Sequence, residues 1–112
     1  MKINFNEIGV KADTIKDIEI NNIVSNHGNS IPNQYEVYID STEGTYRCFY
    51  SYKSLILVCK NGKLIKVGSN YDYSRTTGKY RNDFLRLNKS TLESYMNRNM
   101  YFNKDSNMYE LL

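Results

Sequence analysis

Asn61-Gly62 stands between two apolar runs, "LILVCK" and "KLIKVG". Two adjacent residues that tolerate positive φ, flanked by strand-forming side chains, meet the demand of a two-residue type I′ turn, so residues 55–68 are predicted to form a β-hairpin. A hairpin alone is marginal in water. The remaining chain must therefore cover this one, and "SLILVC", a continuous aliphatic run, reads as a central strand buried on both faces.

The surrounding pattern supplies the cover. "YEVYID" alternates Tyr35, Val37 and Ile39 against Glu36, Tyr38 and Asp40, "STEG" reads as a turn, and "TYRCFYSY" alternates Tyr46, Cys48, Tyr50 and Tyr52 against Arg47, Phe49 and Ser51. Residues 15–24 are read as a further strand. The stretch "SNHGNSIPNQ", with Gly28 and Pro32 as breakers, is read as an exposed loop.

After Asn70 the period changes. On a helix starting near Arg75, with residues about 100° apart, Tyr80, Phe84 and Leu87 share one side, and Arg75, Lys79 and Arg86 fall within about 40° of each other on the opposite side. Ser90 and Glu93 have the spacing of a capping box for a second helix, whose apolar face is Leu92, Tyr95, Met96 and Met100. The tail "NKDSNMYELL" suits a short strand or a docked segment. The predicted fold class is α+β: an antiparallel sheet of four to five strands with two C-terminal helices packed on one face, as a single domain over residues 1–112.

Chemistry is constrained mainly by what is scarce. One histidine (His27) and two cysteines (Cys48, Cys59) with no partners at metal-ligand spacing leave no raw material for histidine-pair catalysis or a multi-ligand metal site. The chain is accordingly expected to be no enzyme and to carry neither cofactor nor metal, with both cysteines buried as free thiols. No segment approaches the ~20 apolar residues of a membrane span, and no leader is evident at "MKINFNEIGV", so a cytoplasmic protein is expected. Eleven tyrosines accompany an excess of Asn, Lys and Ile, which AT-rich codon usage explains without function.

Charge is unevenly spread. Residues 1–45 carry three basic and seven acidic side chains, residues 46–70 five basic and none acidic, and residues 71–112 seven basic and five acidic, within a net charge of +3. Glu36, Asp40 and Glu43 define a candidate acidic surface, although strand acids are commonly just solvated.

The stretch "YDYSRTTGKYRNDFL", residues 71–85, admits two readings. In the first it is a strand-to-helix joint: Ser74, Thr76 and Thr77 cap the helix, Asp72 complements its dipole, and Tyr71 and Tyr73 pack on the sheet. In the second, Arg75, Lys79 and the helix N–H groups grip a phosphate or a nucleic-acid backbone, with Arg86, the lysines of residues 53–66 and stacking tyrosines extending the surface. "TTGK" is no P-loop, because the preceding glycine is missing and Tyr80 stands where a magnesium-binding hydroxyl is needed. The isoelectric point near 8.8 falls short of a strongly basic nucleic-acid binder.

Residues 50–87 resemble a pattern found in short, uncharacterised proteins of phages and mobile elements from AT-rich Gram-positive bacteria: aromatic-Asp-Tyr-Ser-x-Thr-Thr, a basic residue, then Phe-Leu, after a hairpin with Asn-Gly-Lys. Tyr71, Asp72, Tyr73, Ser74, Thr76, Thr77, Lys79, Phe84, Leu85 and Asn61-Gly62-Lys63 match it, with Tyr71 where tryptophan is frequent. The resemblance implies a non-catalytic protein that binds and inhibits a host defence factor, in the manner of anti-CRISPR inhibitors, with a host protein such as a CRISPR effector nuclease as partner. The acidic segment of residues 7–43 would face a basic channel. The alternative expectation is a small nucleic-acid-binding module.

Overall fold

A computed structural model describes all residues, 1–112. Seven strands join one antiparallel sheet: β1 Ile15–Val24, β2 Ser30–Ser41, β3 Gly44–Ser51, β4 Ser54–Lys60, β5 Lys63–Gly68, β6 Met100–Asn103 and β7 Met108–Leu111. Their order across the sheet is β1-β2-β3-β4-β5-β7-β6. Three helices accompany them: α1 Phe5–Ile8, α2 Arg75–Leu85 and α3 Lys89–Asn99.

The Asn61-Gly62 turn has φ of 50° and 82°, positive at both central residues, as a type I′ turn requires. Asn61 does more than bend: its Oδ1 accepts from the Thr45 backbone N–H at 3.0 Å, and its own N–H donates to the Thr45 carbonyl at 2.8 Å, locking this turn to the start of β3.

The middle of the sheet is covered on both faces, which explains why β4 is buried from Leu55 to Cys59. On one face, α1 and the chain entering it lie over Val37, Ile39, Tyr46, Cys48, Tyr50 and Leu55; Ile8 is fully buried there. On the other, α2 and α3 lie over Phe49, Ile56, Leu57, Val67 and Met100 through Phe84, Leu92 and Met96. A β-bulge at Ile56, between the pairs Tyr50–Leu55 and Phe49–Leu57, lets two consecutive side chains serve the helix face. Gly68 is the counterpart of that bulge. A Cβ there would sit 2.1 Å from the Leu55 carbonyl oxygen, so only glycine lets β5 lie against β4 at this point.

Several expectations need correction. The sheet has seven strands rather than four to five, because the four-residue strands β6 and β7 form a C-terminal hairpin whose β7 joins the sheet only through β5, about forty residues earlier in the chain. The two long helices do share one face, yet strands follow them. Met100 is not the end of the α3 apolar stripe but an extended residue (φ −128°, ψ 158°) that starts β6. The proposed loop of residues 25–34 is strand from Ser30 onward. Asn22 makes this possible, since its side-chain amide donates to the carbonyls of Ile31 and Gln34. Tyr52 does not continue the β3 aromatic face; at φ 50° it sits in the turn before β4.

Both thiols are free and buried. Burial, then the neighbouring Cys59, pushes Cys48 up to about 12. Burial raises Cys59 as well. No helix is long and apolar enough to cross a membrane.

Candidate interaction surfaces

The stretch 71–85 builds a joint, and its parts are identifiable. Ser74, extended at φ −152°, accepts from the Thr77 N–H at 3.1 Å and caps α2. Thr77 is fully buried, and its hydroxyl bonds Ser51 Oγ at 2.8 Å, pinning the first turn of α2 to the end of β3. Along α2 the next anchor is Phe84, packed on Phe49 with ring centroids 5.7 Å apart. Arg47 stacks over the Phe84 ring at 3.8 Å and donates to the Phe84 carbonyl at 3.1 Å.

Between these anchors lies Arg81, which sequence reasoning missed. Its side chain is 2% exposed. The guanidinium donates to the Tyr71 carbonyl at 2.6 Å, to Asp72 Oδ1 at 3.2 Å, and twice to Asn82 Oδ1, at 2.9 and 3.2 Å. Asp72 is also bonded by the Lys89 ammonium from the start of α3, so one carboxylate ties the joint to both helices. Lys89 first, and then Arg81, hold the Asp72 carboxyl below its ordinary range. Asp72 therefore serves two cations rather than the α2 dipole. The missed signal was Thr77, Arg81 and Phe84 at i, i+4 and i+7, one side of a helix.

Tyr71 is half-buried. Its ring meets Tyr109 edge-on at 6.0 Å, and its hydroxyl donates to Glu93 Oε2 at 2.6 Å. Burial, then the Glu93 carboxylate, pushes Tyr71 up to about 12. Glu93 is thus taken by a tyrosine and not by a capping box; Asn88, accepting from the Thr91 N–H at 2.8 Å, caps α3. Tyr73 is no staple. It is 66% exposed, beside Tyr52 at 5.7 Å.

The predicted basic stripe is divided. Arg75 and Lys79 are exposed on α2 and line an open cleft of about 410 Å³ with Tyr52 and Tyr80; Lys79 also approaches Asp83 at 4.0 Å. Arg86 does not continue that row. It follows the last helical residue in the left-handed conformation, φ 56° and ψ 39°, so helical periodicity stops before it. The hairpin lysines do not join Arg75 and Lys79 either. Lys60 and Lys63 flank the turn at the far end of β4, and Lys66 donates to the Glu7 carbonyl on the α1 face at 3.1 Å.

The acidic surface is larger than the sequence suggested. Register pairs Asp17 with Asp40, Glu19 with Tyr38 and Asn21 with Glu36, placing Asp17, Glu19, Glu36 and Asp40 on one face of β1–β2. Two cations partly offset them: Lys16 lies 3.8 Å from Asp40, and Arg47 donates to Glu36 at 3.4 Å. Glu36 also accepts from the Tyr38 hydroxyl at 2.7 Å. Burial, followed by Glu36, raises Tyr38. Glu43 stands apart, exposed in the β2–β3 turn. On the opposite face of β1, Ile18 and Ile20 lie beside Ile39 and Val37.

No curated protein and no solved structure matches the chain. A family model does match, over residues 18–104, from within β1 to just past β6 and including the whole 71–85 joint. With most of its length covered, the chain belongs to the family of unknown function DUF8033.

Proposed function

We propose that the chain is a non-catalytic interaction protein of phage or mobile-element origin that binds and inhibits a host defence factor, with the open edge of β1 as its contact surface. The observation that supports this reading is β1 itself. It is a ten-residue strand at the end of the sheet, with every residue from Lys16 to Asn21 exposed. An edge strand turns alternate peptide groups outward, ready to pair with another chain, and proteins usually guard such edges with lysine, proline or a covering loop. Here Ile18, Ile20 and Val24 are 37, 46 and 56% exposed, and Asp17 and Glu19 occupy the other face. A partner segment that alternates basic and apolar residues would add as an eighth strand, with its cations meeting Asp17, Glu19 and Asp40. Host factors that handle nucleic acid, CRISPR effector nucleases among them, present basic surfaces of this kind. Competition with nucleic acid for that surface would inhibit without chemistry.

The test is a binding and nuclease-inhibition assay against candidate effectors with Asp17→Lys/Glu19→Lys. Both positions are exposed, so the fold is expected to survive while affinity falls at least about tenfold through reversed electrostatics. Undiminished binding and inhibition by this variant would sink the reading.

A second reading, as a nucleic-acid module, draws support from a different place: Tyr52 and Tyr73 form an exposed pair beside Arg75 and Lys79, the combination that stacks bases and contacts phosphates. It expects an electrophoretic shift of single-stranded DNA or RNA that weakens with salt and disappears in Arg75→Ala/Lys79→Ala.

A further inference from the structure

At the opposite end of the sheet from β1, the helix face carries a cleft of about 400 Å³ lined by Tyr71, Glu93, Met96, Asn97, Phe102 and Tyr109 among others. Its aromatic side chains form a chain of steeply inclined rings: Tyr71 meets Tyr109 at 86° and 6.0 Å, and Phe102 meets Tyr109 at 65° and 5.0 Å. Phe102 stays 41% exposed although it lies beside this apolar wall. Glu93 is the one charged residue in the lining. Its Oε2 accepts from Tyr71, while Oε1 takes no hydrogen bond from the protein. Lys89, one turn earlier on α3, is held by Asp72.

We infer that this cleft is a binding site for an alkylated ammonium group. The negative faces of aromatic rings attract a cation whose alkyl shell also benefits from apolar contact, and a carboxylate with an unused oxygen supplies the countercharge. A neutral apolar ligand would cover the free Oε1 of that carboxylate without pairing it, and a strongly hydrated metal ion would find a single carboxylate as its only charged ligand. The Arg81 guanidinium already lies 5.9 Å from the Tyr71 ring centroid, so an alkylammonium uses the Tyr109 and Phe102 rings and the carboxylate together. The thioethers of Met96 and Met100 add polarizable contact to the same lining.

The experiment is a titration of the purified full chain, followed by the aromatic proton resonances, with choline and with its neutral isostere 3,3-dimethylbutan-1-ol. Choline is expected to bind with a dissociation constant on the order of 1 mM, and the isostere at least about tenfold more weakly. Glu93→Gln keeps an acceptor for Tyr71 and should melt close to the wild type, whereas Phe102→Leu keeps apolar packing on Tyr109 while removing the ring face, and each should remain folded by circular dichroism while binding choline about fivefold or more weakly. A peptide bearing trimethyllysine resolves the source of the group: tighter binding than choline assigns it to a protein partner, and equal or weaker binding assigns it to a small molecule. Equal affinity for choline and the isostere, undiminished binding by Glu93→Gln, or no response to choline at tenfold above the expected constant would overturn the assignment.

Discussion

Arg81→Met asks whether the 71–85 stretch is a joint or a ligand grip, because it removes the buried guanidinium and leaves the exposed cations Arg75 and Lys79 in place. Four hydrogen bonds disappear. Charge-assisted bonds contribute about 1.5–3 kcal/mol each in isolation, but not all of that is lost. Asp72 keeps Lys89 and is exposed to water, and Asn82 is partly exposed, so both find other partners. The Tyr71 carbonyl loses its 2.6 Å donor in a part-buried position. The desolvation of the guanidinium also vanishes with it, and methionine fills much of the aliphatic volume. The net loss should be about 2–3 kcal/mol, lowering the melting temperature by about 8–12 °C for a domain of this size. Thermal and urea unfolding followed by circular dichroism measure it. Arg75→Ala, at an exposed position without an ion pair, should stay within about 0.5 kcal/mol of the wild type. An Arg81→Met protein melting within about 2 °C of the wild type would refute the joint, as would an Arg75→Ala loss of equal size.

Asn61→Ala should cost about 1–2 kcal/mol, through the left-handed φ of 50° and the lost bond to Thr45, and Gly62→Ala about 1 kcal/mol more; unchanged urea midpoints would contradict the turn. Asp72 has its pKa depressed in the folded state, so its stabilisation is complete above the unfolded value of about 3.9 and fades as pH falls through the lower folded value. The stability gap between wild type and Asp72→Asn should therefore be widest near neutrality and close in acid, and a gap independent of pH would rule out the ion pair as its source. Cys48 and Cys59 should react slowly with a thiol reagent in the native state and quickly in denaturant; fast native labelling would contradict their burial. The Gln34 side chain is fully buried without a hydrogen-bond partner for Oε1 or Nε2 within the protein, so Gln34→Met should raise stability by about 1 kcal/mol, and a drop in melting temperature would disprove it.

Local chemistry was legible in the sequence wherever one short segment holds its own cause. The positive-φ pair Asn61-Gly62 forces a turn whatever surrounds it. Strict alternation in residues 35–51 orients two strands, Ser74 caps the helix it precedes, and the apolar run 55–59 announces burial on both faces. What required tertiary structure were features whose cause lies in another segment. Strands β6 and β7 are too short to carry a period; β7 pairs with the edge that β5 offers, and β6 then pairs with β7. Asp72 read as a charge for the α2 dipole and Arg81 drew no reading at all, until folding brought them together with Lys89. Glu93 closes no capping box because α3 starts at Lys89 under the Asn88 cap, with Ser90 already inside the helix, and its carboxylate accepts from Tyr71 instead. Arg86 fell out of the helical row because α2 ends in a left-handed residue. Most of all, the acidic face is a product of register: Asp17 and Glu19 lie some twenty residues from Glu36 and Asp40 along the chain, and only the pairing of β1 with β2 makes them neighbours. Sequence fixes which charges are available; pairing, with its period of two, decides which of them share a surface.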